Sequence, residues 1–271
     1  MADYYALTSE PLPKSLHGAD PECSIRILSE RERLAIEDYF FSKTVKTSLD
    51  PATTAVVVSQ SLVPRVNAVE FGILIEFALG ILSVSGFQSV TTIATFDSAN
   101  CTDAVIRSDR AASDSATFPK KIRKNEANAW IRRLFAALRN TKDHMHITAD
   151  RFVRYCKASG SLDSLLDLCI CLESLLDSQT EISFRFGTCL TKVTDRTGTE
   201  AEEVSNLLSE LYDLRSKIVH GADAAKQHKK LDPHVPTLRQ VARRILTTYV
   251  LYMSEHTRDD WKQHLKSSVF K

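Results

Sequence analysis

After Pro119, apolar positions recur at steps of three and four, the spacing of one buried helical stripe, across residues 126–139, 147–157, 161–177, 181–194, 200–220, 237–254 and 258–268. The back half therefore reads as an all-helical bundle. The front is patterned differently. Ser29 followed by Glu30, Arg31, Glu32, Arg33 and Leu34 marks a helix start running to about Phe41, Ala55 to Val58 has strand character, Val66 to Leu82 is helical, and Phe87 to Phe96 alternates as a strand. Residues 1 to about 25, rich in Pro, Ser and Gly, read as an irregular lead-in. Asp97 to Thr117 turns to Ser, Ala, Asp and Thr, the composition of a linker or long surface loop. The expected fold is mainly α: a small α+β unit with its linker over 1–118, then a helical domain over 119–271.

Two charged residues interrupt apolar stripes in the back half. The helix beginning near Ser161 is apolar around most of its circumference, with Leu162, Leu165, Leu168, Cys169, Leu172 and Leu175. Glu173 lies four residues after Cys169, so its carboxylate needs a partner. On a later helix, Val204, Leu207, Leu208, Leu211, Leu214 and Ile218 form the stripe, and Arg215 follows Leu211 by four. Thr199 is the expected cap of that helix and Gly221 its stop. Arg215 and Arg185 are the cationic candidates for Glu173, with Arg215 favoured because both helices read as central. The pair fits two roles: a structural tie that sets helix register, or a carboxylate orienting an arginine whose remaining donors face a phosphate.

His220 follows Arg215 by five residues, which puts the two side chains about 140° apart on an ideal helix. Convergence on one phosphate requires a distorted last turn at Gly221 or a second copy of the chain across a two-fold axis.

Charge and composition narrow the chemistry. The 271 residues are 43% hydrophobic and 25% charged with a net charge of +1, so any nucleic-acid binding must come from local patches. With eight glycines and no Gly-x-Gly-x-x-Gly or P-loop pattern, nucleotide hydrolysis and dinucleotide chemistry are not expected. Cys23, Cys101, Cys156, Cys169, Cys171 and Cys189 have no disulfide-scaffold or Cys-x-x-Cys spacing, and the opening residues lack signal-peptide order. A cytoplasmic address is the expectation. The uncharged run Phe77 to Phe96 is polar in its second half and reads as a helix end followed by a strand, not a membrane span. His144 and His146 lack further ligands at zinc spacing, so no metal and no cofactor are expected.

With Leu172, Glu173, Ser174, Leu175 and Leu176, then Glu181 to Arg185, then Tyr212, Asp213, Leu214, Arg215, Ser216, Lys217, Ile218, Val219, His220 and Gly221, residues of about 125–260 resemble the HEPN superfamily and, within it, the Apea-like HEPN group. The last segment is the most specific part of the resemblance. It implies an all-α domain, commonly dimeric, in which Arg and His of two protomers line a cleft that cuts RNA without metal, often in toxin, antiviral or phage-defence systems. Carried onto this chain, the catalytic pair is Arg215 and His220, with Glu173, Asp213 and Ser216 as supporting residues. Some members carry Asn or Asp directly after the Arg and Tyr shortly after the His; here those places hold Ser216 and Gly221–Ala222.

The residue types suit that chemistry. RNA supplies its own nucleophile, the 2′-hydroxyl, so cleavage needs a base, an acid for the leaving 5′-oxygen and positive charge at the phosphorane. Histidine titrates near neutral pH and arginine carries permanent, bidentate charge. One histidine cannot serve as base and acid in one concerted step, and a dimer supplies the second. Lys217, Lys226, Lys229, Lys230, Arg239 and Arg243 are candidates for the RNA backbone. The expected partners are RNA and a second copy of the chain, with no membrane, and the front unit is left for a trigger ligand or protein. The rival expectation is a non-catalytic HEPN module that binds RNA or a protein.

Overall fold

The computed structural model describes residues 3–8, 23–42, 54–59, 61–63, 67–82, 90–97, 100–106, 126–141, 144–158, 160–176 and 182–267. They fall into two compact units, residues 1–139 and 140–271. The boundary expected at 118/119 lies outside the described residues.

The first unit is built on a five-stranded antiparallel sheet of β1 (Asp3–Thr8), β2 (Cys23–Ile27), β3 (Thr54–Ser59), β4 (Val90–Asp97) and β5 (Asn100–Ile106), in the order β2-β3-β1-β4-β5. Two expectations are corrected here. Part of the lead-in is β1, the central strand, together with β2, and part of the presumed linker is β5. A six-residue segment such as Asp3–Thr8 carries too little pattern to announce itself. Its partners, β3 and β4, lie some fifty and ninety residues downstream.

Alternation along β1 explains how the sheet is covered. Tyr5 and Leu7 pack with Ala55 and Val57 of β3, with Leu28, and with Ile36 of α1 (Glu30–Ser42). On the other face the Tyr4 ring lies 5.1 Å from Phe71 of α2 (Ala68–Leu82), which stacks at 5.9 Å on Phe135 of α3 (Glu126–Thr141). A sheet buried on both sides tolerates an unbroken apolar strand, which is why β3 reads Ala-Val-Val-Val without alternation. Arg139 closes this unit by donating to the carbonyls of Ser61 and Leu62 at 2.7 and 2.8 Å. Arg132 and Arg133 are exposed while Trp130 and Phe135 are buried, so this face of α3 is a solvated basic face over an aromatic core side.

The helix starts expected from Ser29 and from about Val66 carry reciprocal caps. Ser29 accepts from the Glu32 amide at 3.3 Å while its own amide donates to Glu32 at 2.9 Å, and Asn67 and Glu70 exchange the same pair of bonds at 2.9 and 3.0 Å.

The second unit is helical throughout its described length: α4 (His144–Lys157), α5 (Leu162–Glu173), α6 (Ile182–Val193), α7 (Gly198–Val219), α8 (Ala225–Leu231), α9 (Val235–Met253) and α10 (Arg258–Ser267). The mainly α class holds. α5 is capped by Ser161, whose Oγ accepts from the Ser164 amide at 3.0 Å. Gly187 lets α6 and α7 approach closely, since a Cβ there would lie 2.8 Å from Ser209 Oγ. Trp261 of α10 donates to the Leu175 carbonyl at 2.8 Å and packs edge-on against Tyr249 of α9. Among the described residues, no helix is long and apolar enough to cross a membrane.

Glu32 also anchors the edge of the sheet. It accepts from Tyr5 at 2.7 Å and takes both guanidinium nitrogens of Arg26. Burial opposes its ionisation, but the bonds from Arg26, Ser29 and Tyr5 outweigh that and hold the carboxyl at about 2. A carboxyl depressed in the folded state stabilises above its unfolded pKa and loses that contribution as pH falls. Chemical denaturation should therefore show a loss of about 1–2 kcal/mol between roughly pH 4.5 and 2, after allowance for solvent screening at Arg26. Glu32→Gln should remove this pH dependence.

Candidate functional site

α7 carries the candidate site at its C-terminal end. The helix begins at Gly198 with Thr197 as the extended N-cap, so the expected cap at Thr199 is corrected: Thr199 lies inside the first turn. Val204, Leu207, Leu208, Leu211 and Leu214 are buried, the stripe expected from the sequence. The stop is a Schellman motif. The Gly221 amide donates to the Ile218 carbonyl at 3.2 Å and the Ala222 amide to the Lys217 carbonyl at 2.9 Å, with Gly221 at φ +68°.

Arg215 pairs with Glu173 across α5 and α7. Its Nε lies 3.3 Å from Glu173 Oε2 and its Nη2 donates to Oε1 at 3.5 Å, a side-on, two-point contact. Both side chains sit at the margin of the apolar stripe and not inside it, with relative exposures of 29% and 21%. Water thus screens the pair, and its contribution falls towards the surface-pair range. Arg185, the other candidate partner, lies on α6 and is half-buried.

A residue to which the sequence reading assigned no role completes the setting of the guanidinium. Arg215 Cζ stands 5.9 Å from the ring centroid of Tyr212, one turn earlier, and the Phe186 ring packs against Tyr212 at 5.5 Å. The spacing of three residues was the available signal. Glu173 thus holds the guanidinium by one edge while the group stands over the Tyr212 ring.

His220 is the exposed C-cap residue, with φ −90° and ψ 8°, and its amide donates to the Ser216 carbonyl at 3.0 Å. α7 remains regular through Val219, so the last turn is not distorted towards Arg215. On a regular helix, five residues put the two side chains about 140° apart.

The remaining candidates divide into separate neighbourhoods. Asp213 is exposed, and Ser216 is half-buried and contributes its carbonyl to the helix end. Lys217 donates to Gln227 Oε1 at 3.1 Å, Gln227 donates in turn to the Glu210 carbonyl at 3.2 Å, and Lys230 pairs with Glu210. These contacts fasten α8 to α7. Lys226 and Lys229 are exposed on α8. Arg239 lies over the Tyr155 ring at 5.8 Å, and its charge and that of Arg243 act on the Cys156 thiol, which burial pushes up to about 12. Arg215 and Glu173 act instead on Cys169, whose thiol burial also pushes up. Arg239 and Arg243 therefore belong to the α4–α9 side and are not gathered at Arg215.

His144 is exposed and His146 half-buried, two residues apart at the start of α4 and so on opposed faces. Among the described residues, Cys156, Cys169, Cys171 and Cys189 are free thiols.

Comparison with known proteins adds no assignment: no family model matches the chain, and neither a curated protein nor a solved structure matches it.

Removing either partner of the clamp should cost about 1 kcal/mol, so Glu173→Gln and Arg215→Met should each lower the unfolding midpoint by a few degrees in thermal circular dichroism. His220→Ala should leave it within about 1 °C, because no described side-chain contact is lost. Gly221→Ala meets no steric neighbour but forces an alanine into the left-handed region. It should destabilise by about 1–2 kcal/mol, with Gly221→Asn recovering part of the loss.

Proposed function

We propose that this chain is a metal-independent endoribonuclease of the HEPN type, in which Arg215 and His220 of two protomers line one cleft. The reading rests on a single combination: a guanidinium held by Glu173 and Tyr212 at the margin of α7, and an exposed histidine where that same helix stops. Holding the guanidinium by its Nε and Nη2 edge leaves Nη1 donors directed elsewhere, as a phosphate contact requires. The divergence of the pair on a straight helix is why the reading includes a dimer. A two-fold axis beside the end of α7 returns each histidine to the partner's arginine. Exposed Phe184, two residues before Phe186, and exposed Val219, next to His220, supply apolar surface for such contact, at 59% and 58% exposure.

In the proposed reaction the 2′-hydroxyl loses its proton to one His220 and attacks the adjacent phosphorus. The second His220 protonates the departing 5′-oxygen, and the paired Arg215 groups balance charge on the phosphorane oxygens. The products are a 2′,3′-cyclic phosphate and a 5′-hydroxyl. Lys226 and Lys229, exposed on α8, would meet flanking phosphates. A toxin or antiviral role in the cytoplasm follows from the HEPN resemblance, and the first unit would then hold the trigger.

A second reading is favoured by the Glu173 contact itself. A carboxylate that engages two guanidinium nitrogens accounts for Arg215 as a tie between α5 and α7, and the unit is then a non-catalytic module that binds RNA or a protein.

Incubating purified protein with total RNA in EDTA separates the two. Wild type should cut and leave cyclic-phosphate ends, while folded His220→Ala and Arg215→Ala should each lose about a hundredfold or more of the rate. Undiminished cleavage in His220→Ala would sink the catalytic assignment. RNA binding that survives in every variant without cutting supports the second reading.

A further inference from the structure

An open pocket of about 530 Å³ begins at Gly221, the residue directly after His220, and is lined by Leu162, Ile218, Ala222, Asp223, Ala224 and His228 among others. We propose that this pocket receives a nucleobase of the RNA and selects guanine. The inference rests on the ribonucleic-acid reading of the Arg215–His220 end and extends it to base specificity.

Three observations define the occupant. The first is size and surface: the volume lies within the range of small-ligand sites, and the leucine, isoleucine and alanine side chains offer an apolar lining suited to a flat heteroaromatic ring. The second is charge. Asp223 on the wall is an anion, so the pocket repels phosphate and favours a neutral group that donates hydrogen bonds. Its Oδ1 already accepts from the Ala225 amide at 2.9 Å, which fixes the side chain and leaves Oδ2 lone pairs for a ligand.

The third is the state of His228. Its Nε2 lies 2.9 Å from the Gly160 carbonyl oxygen, and a carbonyl only accepts, so Nε2 carries the hydrogen. In the neutral imidazole, that tautomer makes Nδ1 an acceptor. The residues lining the pocket therefore offer a carboxylate and, in the neutral imidazole, a ring nitrogen as acceptors.

Among the four bases, guanine alone sets two donors side by side, N1–H and the N2 amino group. Adenine and cytosine each place a ring acceptor beside their amino group, and uracil flanks its single N–H with two carbonyls; a carboxylate repels those oxygens and nitrogens. The site's position fits as well. A base bound next to the helix end that carries His220 places its own or its neighbour's phosphate at that end, and Lys226 and Lys229 on α8 are exposed beside the same turn.

The test is binding, measured by fluorescence anisotropy on full-length His220→Ala so that no probe is cut. The probes are a uridine pentanucleotide and the same pentanucleotide with one central guanosine. The guanosine probe should bind about tenfold more tightly, and replacing guanosine by inosine, which lacks the N2 amino group, should remove most of that gain. Asp223→Asn keeps an oxygen for the Ala225 amide but turns a donor towards the base, and should narrow the preference to within about twofold. Ala222→Leu should weaken the guanosine probe by narrowing the pocket, with circular dichroism confirming the fold of both variants.

Equal binding of the two probes, a preference unchanged in Asp223→Asn, or no binding of either would overturn the proposal. The ribonuclease reading fails separately. Wild type that cuts RNA without base preference removes the pocket alone, whereas an Asp223-dependent guanine preference in a protein that never cuts removes the enzyme and keeps the pocket.

Discussion

The helix from Gly198 to Val219 is the rod on which the second unit is assembled, and three neighbours are fixed to it by three different contacts. α6 approaches through the missing side chain of Gly187, α5 through the Glu173–Arg215 pair, and α8 through the Lys217–Gln227 and Lys230–Glu210 contacts. The helix stays α-helical to its last residue, Val219, where the His220 amide still donates to the Ser216 carbonyl. Five residues of regular α-helix separate Arg215 and His220 by about 140°, so the two side chains face different ways. The Schellman turn at Gly221 stops the rod directly after His220, which leaves that residue exposed and starts the pocket on the far side of the turn.

Charge in this unit is arranged at margins. Arg215 and Glu173 keep contact with water, which screens the pair, and the clamp holds an orientation more than it adds stability. Arginine suits this place because its planar fork can be gripped along one edge and still offer donors on another. Arg239 and Arg243 form a second cationic neighbourhood against Tyr155 and Cys156, separate from that of Cys169, Glu173 and Arg215. The lysines of α7 and α8 divide too. Lys217 and Lys230 hold elements together, while Lys226 and Lys229 face solvent. A basic residue count over residues 215–243 would merge these roles.

Where the sequence pattern was legible, the reason is local. The stripes of α5, α7 and α9, the helix starts at Ser29 and near Val66, and the stop at Gly221 all lie within a few residues of the groups they serve. The Tyr212–Arg215 contact belongs to the same class, being one turn apart, although the ring was read only as part of a motif. The pocket of Asp223 and His228 does not. Asp223 follows a turn whose direction is set by Gly221, and the His228 tautomer is set by the carbonyl of Gly160, sixty-eight residues earlier.

The sequence by itself determined the helical second half, the α7 stripe and its end, and the pairing demand that Glu173 places on a cation, because period, capping and the cost of isolated charge act over short distances. Only the tertiary structure decided that residues 3–8 are the central strand of a five-stranded sheet, since a strand is defined by partners far along the chain. It also decided that Arg215 and Glu173 meet at the margin of the stripe, that Tyr212 lies under the guanidinium, and that Arg239 stands apart. Those outcomes depend on how rods pack, and a heptad position records which face is buried but not how deeply or against what.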